Sequence, residues 1–105
     1  MTAEAANGAS VRLYALIGVD RPGAIAKREE LRVEHRDYVR ANKSHIRVAG
    51  PFLDDDGNQI GSLLVFEVAD PEYVWDWIRN EPFYQGGVYA TVDVRLWGVV
   101  IGAIL

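Results

Sequence analysis

Apolar and polar positions alternate along this chain in two different periods, and the changes of period divide it into six segments. Val11 to Val19 (VRLYALIGV) is dense in β-branched and aromatic side chains and stops at Asp20-Arg21-Pro22-Gly23, a run of turn formers. From Ala24 to about Asn42 glycine and proline vanish, and Ile25, Leu31, Tyr38 and Val39 recur among charges at helical spacing. Ser44 to Phe52 reads as a second strand. Asp54-Asp55-Asp56-Gly57-Asn58 reads as a hairpin tip with an Asp-Gly turn signal, and Ile60 to Ala69 as a third strand. Asp70-Pro71-Glu72 is a strong helix start: a capping carboxylate, a proline at the first helical position and an early acid. The second helix carries Val74, Trp75, Trp77 and Ile78 and ends before Pro82. After a loop rich in glycine and tyrosine, Tyr89 to Trp97 is the fourth strand, and Val99 to Ile101 a short fifth. The order β-α-β-β-α-β predicts an α+β, ferredoxin-like fold with two helices on one face of an antiparallel sheet.

The second face of that sheet carries the next inference. Along the third strand, Ile60, Ser62, Leu64, Phe66 and Val68 alternate with Gly61, Leu63, Val65, Glu67 and Ala69, and both sets are largely apolar. The first strand does the same, with Leu13, Ala15 and Ile17 against Tyr14, Leu16 and Gly18. A sheet with one solvated face shows apolar-polar alternation instead. A second copy of the chain, packed sheet to sheet about a two-fold axis, covers such a face. The alternative is that the terminal apolar segment folds over it. The length of 105 residues fits one domain, expected over residues 11–105 behind a small, polar and flexible leader at 1–10. The apolar run at Trp97–Leu105 is far short of a membrane span. Eleven basic against fifteen acidic side chains give a net charge of −4, a poor match to nucleic acid or an anionic membrane surface. Absence of cysteine excludes disulfide and thiolate chemistry. The expected setting is the cytoplasm.

Candidate chemistry centres on His35. By helical spacing it shares a stripe with Leu31, Tyr38 and Val39, near the face that meets the sheet, and Arg28 and Arg32 lie on the same line. Neighbouring cations favour a neutral imidazole, which can act as a base. The competing reading is a half-buried packing histidine whose arginines reach out to water. His45 reads as a surface residue. The three aspartates at 54–56 fail as a calcium loop, because Gln59 and Val65 occupy the positions that need glycine and glutamate. Glu81 stands at the helix-to-loop corner before Pro82-Phe83, where a carboxylate could orient an imidazole; it could equally be an ordinary helix-end residue. No phosphate-binding glycine motif or metal-protease motif occurs, and no metal or organic cofactor is expected. Trp75, Trp77, Phe83, Tyr84 and Tyr89 do not interleave with basic residues, so they read as core or pocket wall.

Taken in order, Arg32-Val33-Glu34-His35-Arg36-Asp37-Tyr38, Ala49-Gly50-Pro51-Phe52-Leu53 with the aspartates and Gly57, Ile60-Gly61-Ser62, Asn80-Glu81-Pro82-Phe83, Gly87-Val88-Tyr89 and Val92-Asp93-Val94-Arg95-Leu96-Trp97 resemble the YCII-related (YciI-like) proteins. The resemblance implies a dimeric α/β barrel of ferredoxin-like halves, related in shape to muconolactone isomerases and antibiotic-biosynthesis monooxygenases, with a histidine and an aspartate in its pocket. One branch of similar fold is a dehydrochlorinase of chlorinated hydroxyquinols. The family histidine falls on His35, the arginine of its R-x-x-H motif on Arg32 and its Gly-Ser on Gly61-Ser62. The family aspartate falls on Glu81, one methylene longer, which moves the carboxylate outward by about 1 Å, enough to affect rate. What this implies is a cofactor-independent lyase or isomerase. His35 and Glu81 would form a catalytic pair, Arg32 and Ser62 would bind substrate, and the reaction would be proton abstraction with elimination or isomerisation on a small aromatic or lactone substrate. The alternative is a non-catalytic dimer that binds a small ligand or serves a larger enzyme.

Overall fold

β1 (Arg12–Asp20) is the pivot of the sheet. In the computed structural model, which describes residues 10–104, it pairs antiparallel with both β3 (Gln59–Val68) and β4 (Tyr89–Trp97), while β2 (Ile46–Leu53) pairs antiparallel with the outer edge of β3. The strand order β2-β3-β1-β4 is that of a ferredoxin-like sheet. The leader read over residues 1–10 lies outside the described residues except for Ser10.

Between the strands run α1 (Ile25–Glu30), α2 (Arg32–Ala41), α3 (Pro71–Arg79) and the single turn α4 (Pro82–Gln85). The one helix expected from Ala24 to Asn42 is two, broken at Leu31, with no glycine or proline to mark the break. α3 starts as the sequence dictates: the Asp70 side chain accepts the Glu72 N–H at 2.9 Å, and Pro71 opens the helix. The expected Gly- and Tyr-rich loop contains α4, and the segment 99–101 expected as a fifth strand is irregular. The hairpin tip is a five-residue loop, 54–58, rather than a two-residue turn. Asp54 Oδ1 accepts the N–H groups of Asp56 and Asn58, and these bonds, with the Asn58 side chain first, hold its carboxyl below the usual range.

The core lies between the sheet and the helices. Tyr14, Leu16, Leu64, Phe66 and Val68 of the strands meet Val74, Trp77 and Ile78 of α3, with Phe83, Val88 and Tyr89 closing one end. Two hydrogen bonds join α2 to α3: Tyr38 Oη donates to the Trp77 carbonyl at 2.7 Å and Trp77 Nε1 donates to the Asn42 carbonyl at 2.8 Å. The opposite sheet face is open and mixed: β4 and the end of β3 place Thr91, Asp93, Arg95 and Glu67 on it, and the rest is apolar. Val19, Val48, Phe52 and Trp97 are exposed. Residues 98–104 reach the Leu13–Glu67 end of that face, where Arg47 donates to the Ile104 carbonyl, and leave the other end bare.

Register shifts break the regular alternation at two places that matter for the site. β1 pairs Val19 with Thr91 and then Asp20 with Tyr89, so Ala90 is an extra residue. β2 pairs Phe52 with Gly61 and then Leu53 with Gln59, so Ile60 is another. Each bulge turns the residue before it, Tyr89 or Gln59, toward the helix side, where regular alternation would have left it on the open face. The close approach of β1 and β3 also demands glycine at 61: a Cβ there would lie 2.6 Å from the Gly18 carbonyl oxygen and 2.9 Å from the Phe52 ring. Gly61→Ala is expected to lower stability by about 1–3 kcal/mol through overpacking. An unchanged urea midpoint would show that the two central strands separate freely.

Candidate active site

A buried arginine organises the floor of a cleft of about 530 Å³ between α1–α2 and the β2–β3 hairpin. Arg28 is 6 % exposed. Its guanidinium grips the Asp20 carboxylate with two bonds, Nε to Oδ2 at 2.7 Å and Nη2 to Oδ1 at 3.3 Å. It donates further to Gln59 Oε1, to the Gly61 carbonyl and to Ser62 Oγ, at 3.2, 2.8 and 2.9 Å. Tyr89 Oη donates to the same Ser62 Oγ at 2.8 Å. Burial, and next the Glu81 charge, push the Tyr89 phenol well above its ordinary value, which keeps it a donor. With both lone-pair regions of Ser62 Oγ taken, its own hydrogen is left for the cleft, which Ser62 lines. Arg28, which the competing reading sent out to water, is thus the best-satisfied polar group of the site.

Directly beside it stands the second cluster. Glu81 is 1 % exposed although it is a carboxylate. It caps α4: one oxygen accepts the Phe83 N–H, and the other meets His35 Nδ1 at 2.7 Å. A carboxylate can only accept, so Nδ1 carries a proton, and in the neutral imidazole that tautomer leaves the lone pair on Nε2. His35 Nε2 has no partner among the described residues, and the imidazole, 22 % exposed, borders the cleft. The ring lies flat on Phe83, with centroids 3.8 Å apart and planes at 3°, which fixes its orientation from the side. Phe83 also carries the Arg28 guanidinium 4.7 Å from its ring centroid, so one aromatic side chain joins the two clusters. Glu81 further raises the pKa of Tyr38, after the larger effect of burial.

Of the residues expected from the sequence, His35 and Glu81 meet and Ser62 lies across the cleft floor. Arg32 lies at the cleft rim, exposed and paired with Glu29 at 3.2 Å, and takes no part in the buried cluster. The extra methylene of Glu81 does not separate the pair, because the backbone corner before α4 sets the carboxylate at hydrogen-bond distance. Asp20, Gln59 and Tyr89 were not among the site residues expected from the sequence, although Tyr89 was read as core or pocket wall, and Arg28 was read only as part of the His35 stripe. Asp20 looked like a turn residue, and the bulges that aim Gln59 and Tyr89 leave no periodic trace. His45 is exposed, its ring edge-on to Tyr73 at 4.8 Å. No helix of the described residues is long and apolar enough to cross a membrane.

The model of the YCII-related domain matches residues 12–98. A solved structure of 5-chloro-2-hydroxyhydroquinone dehydrochlorinase (TftG) from Burkholderia phenoliruptrix AC1100, in complex with 2,5-dihydroxybenzoquinone, is similar with a TM-score of 0.74 and 31 % identity. The match covers 82 % of this chain and 93 % of that one. A protein of Haemophilus influenzae (strain ATCC 51907 / DSM 11121 / KW20 / Rd), described as uncharacterized, is 27 % identical over 90 residues, which cover 78 % of this chain and 92 % of the relative.

Removing one partner of the buried Asp20–Arg28 pair leaves an uncompensated charge. Asp20→Ala is expected to cost about 3–5 kcal/mol, read as a large fall in melting temperature. Loss of less than about 1 kcal/mol would mean that water already reaches the guanidinium.

Proposed function

The chain belongs to the YCII-related domain family, and from that premise we propose that it is a small enzyme that abstracts a proton from an oxygenated ring substrate and drives elimination or isomerisation. The observation that carries the proposal is the contact between His35 Nδ1 and the buried Glu81 carboxylate at 2.7 Å, which leaves Nε2 as a base facing the cleft. His35 Nε2 takes the proton, and Glu81 stabilises the imidazolium that forms. The electron pair released from the broken bond to hydrogen forms a new double bond in the substrate. In an elimination a leaving group departs from the adjacent carbon with its bonding electrons; in an isomerisation His35 returns the proton to a different atom. Ser62 donates its hydroxyl hydrogen to a ring oxygen, and Arg32 at the rim holds an anionic oxygen. The similarity to a structure of a dehydrochlorinase bound to a dihydroxybenzoquinone supports a ring substrate of this kind.

The proposal includes the assembly. The domain, taken as residues 11–105, pairs through its open sheet face with a second copy to give a dimeric barrel, in the cytoplasm. The exposed Val19, Val48 and Phe52, grouped on the β1–β3–β2 part of that face, support this reading, since neighbouring exposed apolar side chains are unfavourable in water. Sedimentation equilibrium at micromolar concentration should give twice the chain mass, and a lone protomer there would refute the pairing.

Catalysis is tested with chlorinated hydroquinones, hydroxyquinols and small lactones, reading product and chloride release. His35→Ala should abolish turnover; because it also takes a partner from the buried Glu81 carboxylate, its melting temperature falls, and turnover is read at a temperature where circular dichroism shows the variant folded. Glu81→Gln should lower kcat by roughly a hundredfold or more, by loosening the imidazole and its tautomer. Turnover that survives in His35→Ala removes the assigned base. Tight binding of these compounds with no product from any of them points instead to a ligand-binding, accessory dimer.

A further inference from the structure

The cleft carries a second chemical feature that the proton-transfer chemistry does not use. Besides Arg28 and Arg32, its lining includes Arg36 and Arg40, against a single acid, Glu29. Arg28 is neutralised by Asp20 and Arg32 pairs with Glu29. Neither Arg36 nor Arg40 makes an ion pair or a side-chain hydrogen bond among the described residues. A chain whose net charge is −4 thus places two unmatched guanidinium groups along this cleft.

Helical geometry explains the arrangement. Residues four apart on α2 are offset by about 40° around the axis and about 6 Å along it. Arg32, Arg36 and Arg40 therefore form one slowly drifting row on the cleft side, with Val39 between that row and His35, and the His35–Tyr38 side turned to the core. His35 stands toward the Arg32 end, and the row continues past it by more than a turn. The wall across the cleft there is built from Ala49, Gly50 and Pro51, which are small or lack long side chains. That pairing of a cationic row with a low wall leaves space beyond the imidazole for a substituent on the substrate.

We propose that Arg36 and Arg40 form an anion subsite, and that the substrate is a ring carrying a carboxylate or a comparable anionic group on the side away from the atom that loses its proton. The inference rests on the reading of His35 as the base, since His35 sets where the reacting end of the ring lies. The two guanidinium groups present forked donors suited to a carboxylate, and their charge steers an anion toward the cleft.

Two probes with the same ring isolate the subsite: hydroquinone and 2,5-dihydroxybenzoate, titrated calorimetrically at low salt and at about 0.15 M. The unaltered protein should bind the carboxylate-bearing ring about tenfold more tightly at low salt, with the advantage shrinking as salt rises. In the double variant Arg36→Ala with Arg40→Ala, both exposed positions, the affinity ratio should fall close to one while the melting temperature holds. The proposal is overturned if the carboxylate gives no gain in the unaltered protein, whether or not either ring binds, or if a gain persists in the double variant. The same titration with His35→Ala separates the two readings. A carboxylate advantage that remains there, together with turnover that does not depend on His35, upholds the subsite while removing the base.

Discussion

A guanidinium withdrawn from water must find its acceptors nearby, and Arg28 obliges five groups from three strands to converge. Asp20 comes from the end of β1, Gln59, Gly61 and Ser62 from the start of β3, and Tyr89, through Ser62, from the start of β4. An unpaired charge at that depth would cost several kcal/mol. The sheet therefore cannot shift its register at this end without exposing the cost, and the cleft floor is rigid for the same reason. Glu81 poses the same demand with the opposite sign and meets it with a backbone N–H and an imidazole. Phe83 keeps the two solutions in contact.

The division of labour between core and cleft follows from these demands. The larger apolar residues of the helix side, Phe66, Trp77 and Ile78, cluster under α3, and the polar network occupies the end where α1, α2 and α4 meet the sheet. The break at Leu31 separates the helix that delivers Arg28 from the helix that delivers His35, so each can meet the sheet at its own angle.

Much of this architecture was legible in the residues alone. Strand and helix order followed from the period of apolar positions, and the α3 start from Asp70-Pro71-Glu72. The stripe shared by Leu31, His35, Tyr38 and Val39 placed the imidazole at the sheet-facing edge, and Glu81 drew notice as a carboxylate held before a proline. What resisted reading had a common cause. The break at Leu31 has no glycine or proline to signal it, and the turn α4 is too short for any period. The inward turn of Gln59 and Tyr89 comes from pairing between distant strands, which a local pattern does not encode. Arg28 resisted for a related reason: its partners lie on other segments, and in isolation an arginine on a helix edge reads as solvated.

The extra residues at Ile60 and Ala90 act through number rather than chemistry. Substitution alone did not aim Gln59 and Tyr89; the count of residues in β3 and β4 did. A single deletion in either strand would restore even pairing, preserve every polar side chain in the network, and still point one of them out of it. A sheet of the same residues without the extra one would present the same side chain to the opposite face.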